Sequence, residues 1–255
     1  LAEGQDLPVD RAGLLHALGG LPNSFLLGAG PDLGDQVVMR IRTNESQMQE
    51  TGISGPPIPL GHYVRGATLS IYDGQGWQNP DFLDRTDLPA NQPWAEIDQS
   101  LRRPLLQSIL LTDASPVIYA APEPLEASVA LSADTLGENL VALRPTDPGA
   151  SRSYTVLSAL PAVSAETLAA LPPLPPDAGR NTLALPDTIT PRTRQLAADL
   201  SAGSSSAYAT ATAIEAYLRT LPYDLTVGKP PSDVTDVADY FLLSLIHISE
   251  PTRPY

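Results

Sequence analysis

Few residues in this chain are of a type and spacing that do chemistry. It has three histidines and no cysteine. That composition excludes a cysteine nucleophile, thiolate metal sites and disulfides within these residues. His16 lies in a short apolar stretch and His62 opens an alternating segment, and neither stands near a serine motif of the Gly-x-Ser-x-Gly type. A serine nucleophile needs a base within hydrogen-bond reach and a third group to orient it. The carboxylate pairs Asp32/Asp35 and Asp233/Asp236 sit in loop-like or helix-start sequence, where aspartate caps turns and helices. No His-x-x-x-His spacing, P-loop or dinucleotide fingerprint is present. Tyr72 and Trp77 flank Asp73-Gly74. They read either as an aromatic ligand platform or, more simply, as a hairpin closed by cross-strand ring packing. No residue is assigned a catalytic, cofactor-binding or metal-binding role, and no cofactor is expected.

The elements around these residues fall into two patterns. Val37–Thr43 and residues 62–72 alternate with period two, and shorter strands are expected at 105–112, 116–119, 127–131, 140–143 and 153–159, separated by proline, aspartate and glycine. Polar, proline-broken loops are expected at 44–61 and 79–100. Twenty-seven prolines, about twice average usage, favour strands, turns and extended links. Further on the period becomes helical. Ser164 is placed to cap a helix over 165–171, and Thr190 with Pro191 opens another, with Leu196 and Leu200 on one face. Gly203 suits a left-handed C′ position, and Ser204–Ser206 can cap a second helix that aligns Tyr208, Ala211, Ile214, Leu218 and Leu221.

The fold class expected is mixed and mainly β: an antiparallel β-sandwich-like domain followed by a small α-helical segment. The divisions are a connecting segment at 1–34 with a short helix over Asp10–Leu18, the β domain at 35–160, a proline-rich linker at 161–185 and helices at 186–242. The formal net charge of −14, with 15 basic residues, disfavours nucleic-acid and anionic-membrane partners. No apolar run approaches the ~20 residues of a membrane helix.

Two motifs carry a resemblance. YVRGATLSIYDGQGW is similar to a "YWRG…YDGRGW" signature, matched by Arg65, Gly66, Tyr72, Asp73, Gly74, Gly76 and Trp77. The helix with Ala211, Ile214, Tyr217 and Leu218, then Tyr223 and Leu225, then Asp236, Val237, Tyr240, Phe241 and Leu242, resembles the entry to bacterial transglutaminase-like proteins of the papain-like cysteine-enzyme superfamily. GLPNSFLLGAGPDLGDQVVMRIRT resembles the segment after the family's membrane helices, so the likeness runs from about residue 20 to 242. The resemblance implies a membrane-anchored parent on the extracytoplasmic face of a bacterial membrane. That parent acts on protein or peptide amides through a Cys-His-Asp triad whose cysteine comes after the "YFL" segment. Residues 186–242 are then the first helices of an incomplete transglutaminase-like core, and the chain is non-catalytic by itself. LSLIHISEPTR resembles a translated sequencing adapter, so residues 243–255, His247 included, read as adapter-derived, and the chain reads as a fragment. The other reading is a stand-alone extracytoplasmic β-sandwich that binds a partner or the cell wall.

Overall fold

The structure, a computed structural model, describes residues 24–26, 35–45, 61–96, 100–172, 183–221, 230–231 and 233–243. The expected helix at Asp10–Leu18, His16, Asp32, His247 and residues 173–182 of the linker at 161–185 lie outside the described residues. The chain divides into two compact units. The first holds residues 36–68 and 82–161, and the second holds 23–35, 69–81 and the chain from Ala162 onward. The segment at 69–81, read from the sequence as part of the β domain, therefore belongs with the helices.

The first unit is a β-sandwich, as the alternation requires. One sheet has the order β2 (Met39–Thr43), β6 (Arg102–Leu111), β10 (Ser153–Pro161), β7 (Pro124–Ala127). The other has the order β5 (Asp84–Leu88), β8 (Leu131–Leu136), β9 (Asn139–Pro145). All pairings are antiparallel. In β6, burial alternates residue by residue from Leu105 to Leu111, because successive side chains face opposite sides of the sheet. Ile109 and Leu111 of β6, Tyr154 and Val156 of β10 and Ala127 of β7 meet Leu131, Ala133 and Leu143 of the facing sheet in one core. Interdigitating inner faces of this kind hold aligned sandwiches together.

Two buried polar groups are hydrogen-bonded through both donor and acceptor. Gln107 donates from Nε2 to Ser158 Oγ at 2.9 Å and accepts the Ala121 N–H at 2.8 Å. The Tyr154 hydroxyl accepts the Tyr119 N–H at 2.6 Å and lies 3.1 Å from its carbonyl. Burial pushes the Tyr154 hydroxyl well above the ordinary tyrosine range.

Several expected elements differ from those observed. Residues 116–119 form no strand: Pro116 has no N–H, residues 116 and 117 bend, and the Tyr119 amide is satisfied by the Tyr154 side chain instead of a ladder. The strand expected at 127–131 breaks at Ser128–Ala130, where the chain leaves the four-stranded sheet and enters the three-stranded one. β5 lies in the expected loop at 79–100. Its sequence, DRTDL, is polar on both faces, so it carries no alternation to read. Residues 62–70 make isolated bridges, Arg65 to Ala120 and Ala67 to Ala142, in place of a continuous strand.

Among the described residues, the second unit holds a three-stranded sheet, β1 (Ser24–Leu26), β4 (Gly76–Gln78), β3 (Ile71–Tyr72), and four helices. β1 falls within the expected connecting segment. The helices are α1 (Ala165–Ala169), α2 (Pro191–Ser201), α3 (Ala207–Leu218) and α4 (Val237–Leu243). Ser164, Thr190 and Ser206 cap the first three, accepting the N–H of Thr167, Thr193 and Ala209. Gly203, at φ +76°, turns the chain between α2 and α3. No residue of α2 or α3 is fully buried. The half-buried side of α3 is Ala209, Thr210, Ala213, Ile214 and Tyr217. Tyr208, Ala211 and Leu218, placed on that side from their spacing, are exposed. The half-buried stripe is thus rotated from the expected one and shares only Ile214 with it within α3.

Candidate functional site

The residue types singled out by chemistry separate in the fold. His62 lies in the first unit, where its Nε2 is 2.6 Å from Glu45 Oε2, and Arg103 binds the other oxygen. Glu45 is nearly sealed from solvent. Burial pushes its carboxyl up, but the hydrogen bonds from His62 and Arg103 outweigh burial and leave it below the usual range. This is an ion-paired cluster, and among the described residues no hydroxyl is bonded to the imidazole. Asp35 is exposed. Among the described residues, no group of three or more His, Asp or Glu side chains is placed to hold a metal ion.

Tyr72 and Asp236 do meet. β3 and β4 pair Tyr72 directly with Trp77, ring centroids 5.3 Å apart and tilted by 45°. The turn between them is set by Asp73, whose Oδ1 accepts the N–H groups of Gln75 and Gly76, each at 2.8 Å, and by Gly74 at φ +96°. This hairpin grips the first turn of α4. The Tyr72 hydroxyl is 2.8 Å from Asp236 Oδ1 and 3.0 Å from the Gly74 carbonyl, and its oxygen accepts the Ala238 N–H at 3.1 Å. Asp236 Oδ1 accepts the same N–H at 3.1 Å. The Gly74 carbonyl accepts the Val237 N–H at 2.8 Å, and Gln75 Nε2 donates to the Val234 carbonyl at 2.7 Å. The orphan amides that open a helix are here met partly by a distant hairpin. Burial, with Asp236 beside it, pushes the Tyr72 hydroxyl up to about 12, so it stays protonated and donates across the neutral range.

A second clamp holds the same first turn of α4. Arg192, in the first turn of α2, donates from Nε to Asp239 Oδ1 at 2.8 Å and to Oδ2 at 3.0 Å, with Nη2 also on Oδ2. Thr193 Oγ1 donates to Oδ1 at 3.1 Å, and the N-cap hydroxyl of Thr190 reaches the same oxygen. The Arg192 hydrogen bonds hold the Asp239 carboxyl below the usual carboxylate range. Asp236 and Asp239 are three apart, so both project from the start of α4 toward separate partners. Sequence reasoning does not single out Arg192, Thr193 or Asp239. The i, i+3 aspartates at the head of a helix are the available signal. The arrangement positions α4 and supplies no nucleophile of its own.

Removing one oxygen tests this. Tyr72→Phe is expected to leave Asp236 with one donor fewer and to cost about 1–2 kcal/mol, in the range for a buried partner lost. Hydrogen exchange at the Val237 and Ala238 amides should speed up roughly tenfold. Unchanged protection there would show that the hydroxyl does not hold α4.

A family model described as the TgpA N-terminal domain matches residues 20–165, more than half of the chain. The chain belongs to this family. Its TgpA N-terminal region runs from before β1 to the first residue of α1. Tyr72, Asp73 and Gly74 of the hairpin therefore lie inside the region matched to TgpA, while Arg192, Asp236 and Asp239 lie beyond it. Among solved structures, the chain is similar to the crystal structure of the periplasmic domain of TgpA from Pseudomonas aeruginosa bound to ethylmercury. The identity is 19 % and the TM-score 0.48, over 89 % of this chain and 72 % of that one. No curated protein matches.

Proposed function

We infer that this TgpA-family chain is the non-catalytic approach to a transglutaminase-like active centre. Its sandwich and hairpin belong to an extracytoplasmic region of a membrane-anchored bacterial protein. Its helices begin the core of an enzyme that acts on protein or peptide amides through a Cys-His-Asp triad. In that mechanism a cysteine thiolate attacks the amide carbonyl, a histidine relays the proton and an aspartate orients the ring. None of the three is assigned to a residue of this chain, which holds no cysteine.

The observation that carries this reading is the grip of the YDGQGW hairpin on the first turn of α4. The two stretches that resemble the transglutaminase-like proteins, far apart in sequence, are joined at the helix after which the resemblance places the cysteine. A hairpin that fixes the backbone at Val237 and Ala238 would also fix the angle at which the parent chain enters its catalytic helix. Reactive groups must be held closely in place for catalysis.

The test is the source DNA. Reading past the codon for Leu242 is expected to give a Gly-x-Cys opening an apolar helix in place of the adapter-like residues 243–255. A continuation without cysteine before a natural stop would overturn the enzyme reading and favour a binding module.

A further inference from the structure

The outer face of the four-stranded sheet is unusual for so acidic a chain. Along β6 the buried side chains face the sandwich core, so Leu106 and Leu110 face outward, 45 % and 51 % exposed. Pairing puts Arg40 beside Leu110, Arg42 beside Ser108 and Leu157 beside Leu106 on that same face. Val38, two residues before Arg40, is 71 % exposed. The outward positions of β2, β6 and β10 carry no carboxylate, although the chain holds 29 acidic residues. One stands at the far edge: Glu126 of β7 pairs with Leu157 and shares its face. The face therefore carries Leu106, Leu110 and Leu157 beside the hydroxyls of Ser108 and Thr155, with Arg102 at one end paired to Glu123, two arginines on one edge and a glutamate on the other. Among the described residues, Arg40, Arg42 and Glu126 form no ion pair.

We propose that this face docks against the same face of a second copy of the chain. A twofold axis between two such sheets, parallel to their strands, lays the β2 edge of each over the β7 edge of the other. Arg42 of one copy then meets Glu126 of its partner. The offset between them is two residues along the strands, about 7 Å, which the two long side chains span. The leucines meet at the centre, as in aligned sheet packing, and the interface is isologous. Charge complementarity selects this occupant. An anionic lipid surface offers no partner to Glu126, whereas the Arg/Glu polarity across the strip fits its own inverted copy. Four strands about 4.8 Å apart, with about five residues each, give a face on the order of 300 Å². A standard interface buries about 800 Å² per partner, so the dimer is weak and concentration-dependent.

Sedimentation equilibrium of the full chain, from about 10 μM to about 1 mM, should show the average mass rising toward twice the 27.0 kDa of one copy. Leu110→Asp, an exposed change that leaves the fold intact by circular dichroism, should hold the chain monomeric throughout. Arg42→Glu and Glu126→Arg should each weaken association about tenfold or more, and the double swap should restore it. A wild type that remains monomeric at the highest concentration overturns the proposal. So does a dimer indifferent to Leu110→Asp, or a double swap that fails to restore association.

Discussion

Gly74→Ala is expected to unfold the second unit more readily than any other single methyl added to it. Gly74 has φ +96°, a conformation costly for a residue with a side chain. A Cβ there would sit 2.5 Å from Thr188 Oγ1 and 2.8 Å from the Thr235 carbonyl. The threonine side chain can turn away, but the backbone carbonyl belongs to the segment leading into α4 and cannot move without breaking the bond from Val237 to Gly74. Strain of about 1–2 kcal/mol and a displaced backbone together cost about 3 kcal/mol. Gly203→Ala is the control. Gly203 is also left-handed, at φ +76°, but has nothing within 4 Å of the added carbon, so it should lose only about 1 kcal/mol. The chain has two tryptophans, and a Trp94→Phe background leaves Trp77, on the hairpin itself, as the fluorescent reporter. Urea midpoints in that background give the two losses. Equal losses at the two glycines would mean that the segment before α4 yields freely.

In the first unit the largest electrostatic effect should come from Asp134. Its carboxylate is 1 % exposed and accepts from Arg85 Nε at 2.8 Å and Arg144 Nε at 2.5 Å. Burial pushes its carboxyl up, but the two arginines outweigh burial and leave it below its ordinary value of 3.8. Asp134→Ala removes the shared acceptor and opens a small cavity beneath β5. Both arginines are partly exposed and recover water, so the loss falls below that for a fully buried orphan charge, at about 2–3 kcal/mol. The pH dependence has a definite sign. A carboxyl with a depressed folded value contributes stability that is fully present above its unfolded value, and that stability disappears as pH falls through the folded one. The difference between wild type and Asp134→Ala should therefore be constant from neutral pH down to about pH 5 and shrink below pH 4. Equilibrium unfolding at a series of pH values measures it. A difference that grows on acidification would contradict the pairing.

What could be read from the sequence was what is local. A cap works within four residues, so Ser164, Thr190 and Ser206 announced their helices, and Gly203 its turn. Short runs bounded by turn residues announced β6 and β10, each without its full length. β5 was hidden because an edge strand polar on both faces has no period, and β7 and β8 ran together because the change of sheet at residues 128–130 leaves the composition unchanged. The site was legible only in halves. Tyr72 was seen as a hairpin aromatic and Asp236 as a helix-start aspartate, and each reading describes its local geometry. Their hydrogen bond joins residues 164 apart, and no short-range pattern encodes it. The same holds for Glu45 with Arg103, which are 58 apart.

That separation also sets a schedule for biosynthesis. The hairpin at Ile71–Gln78 leaves the ribosome long before α4 exists. At roughly 5–20 residues per second, the 164 residues between Tyr72 and Asp236 take about 8–30 s to make. The sandwich strands, all complete by Pro161, can pair within that interval. The grip of the hairpin on α4 is therefore a late event in the life of each new chain, closed only after its last partner has been synthesised.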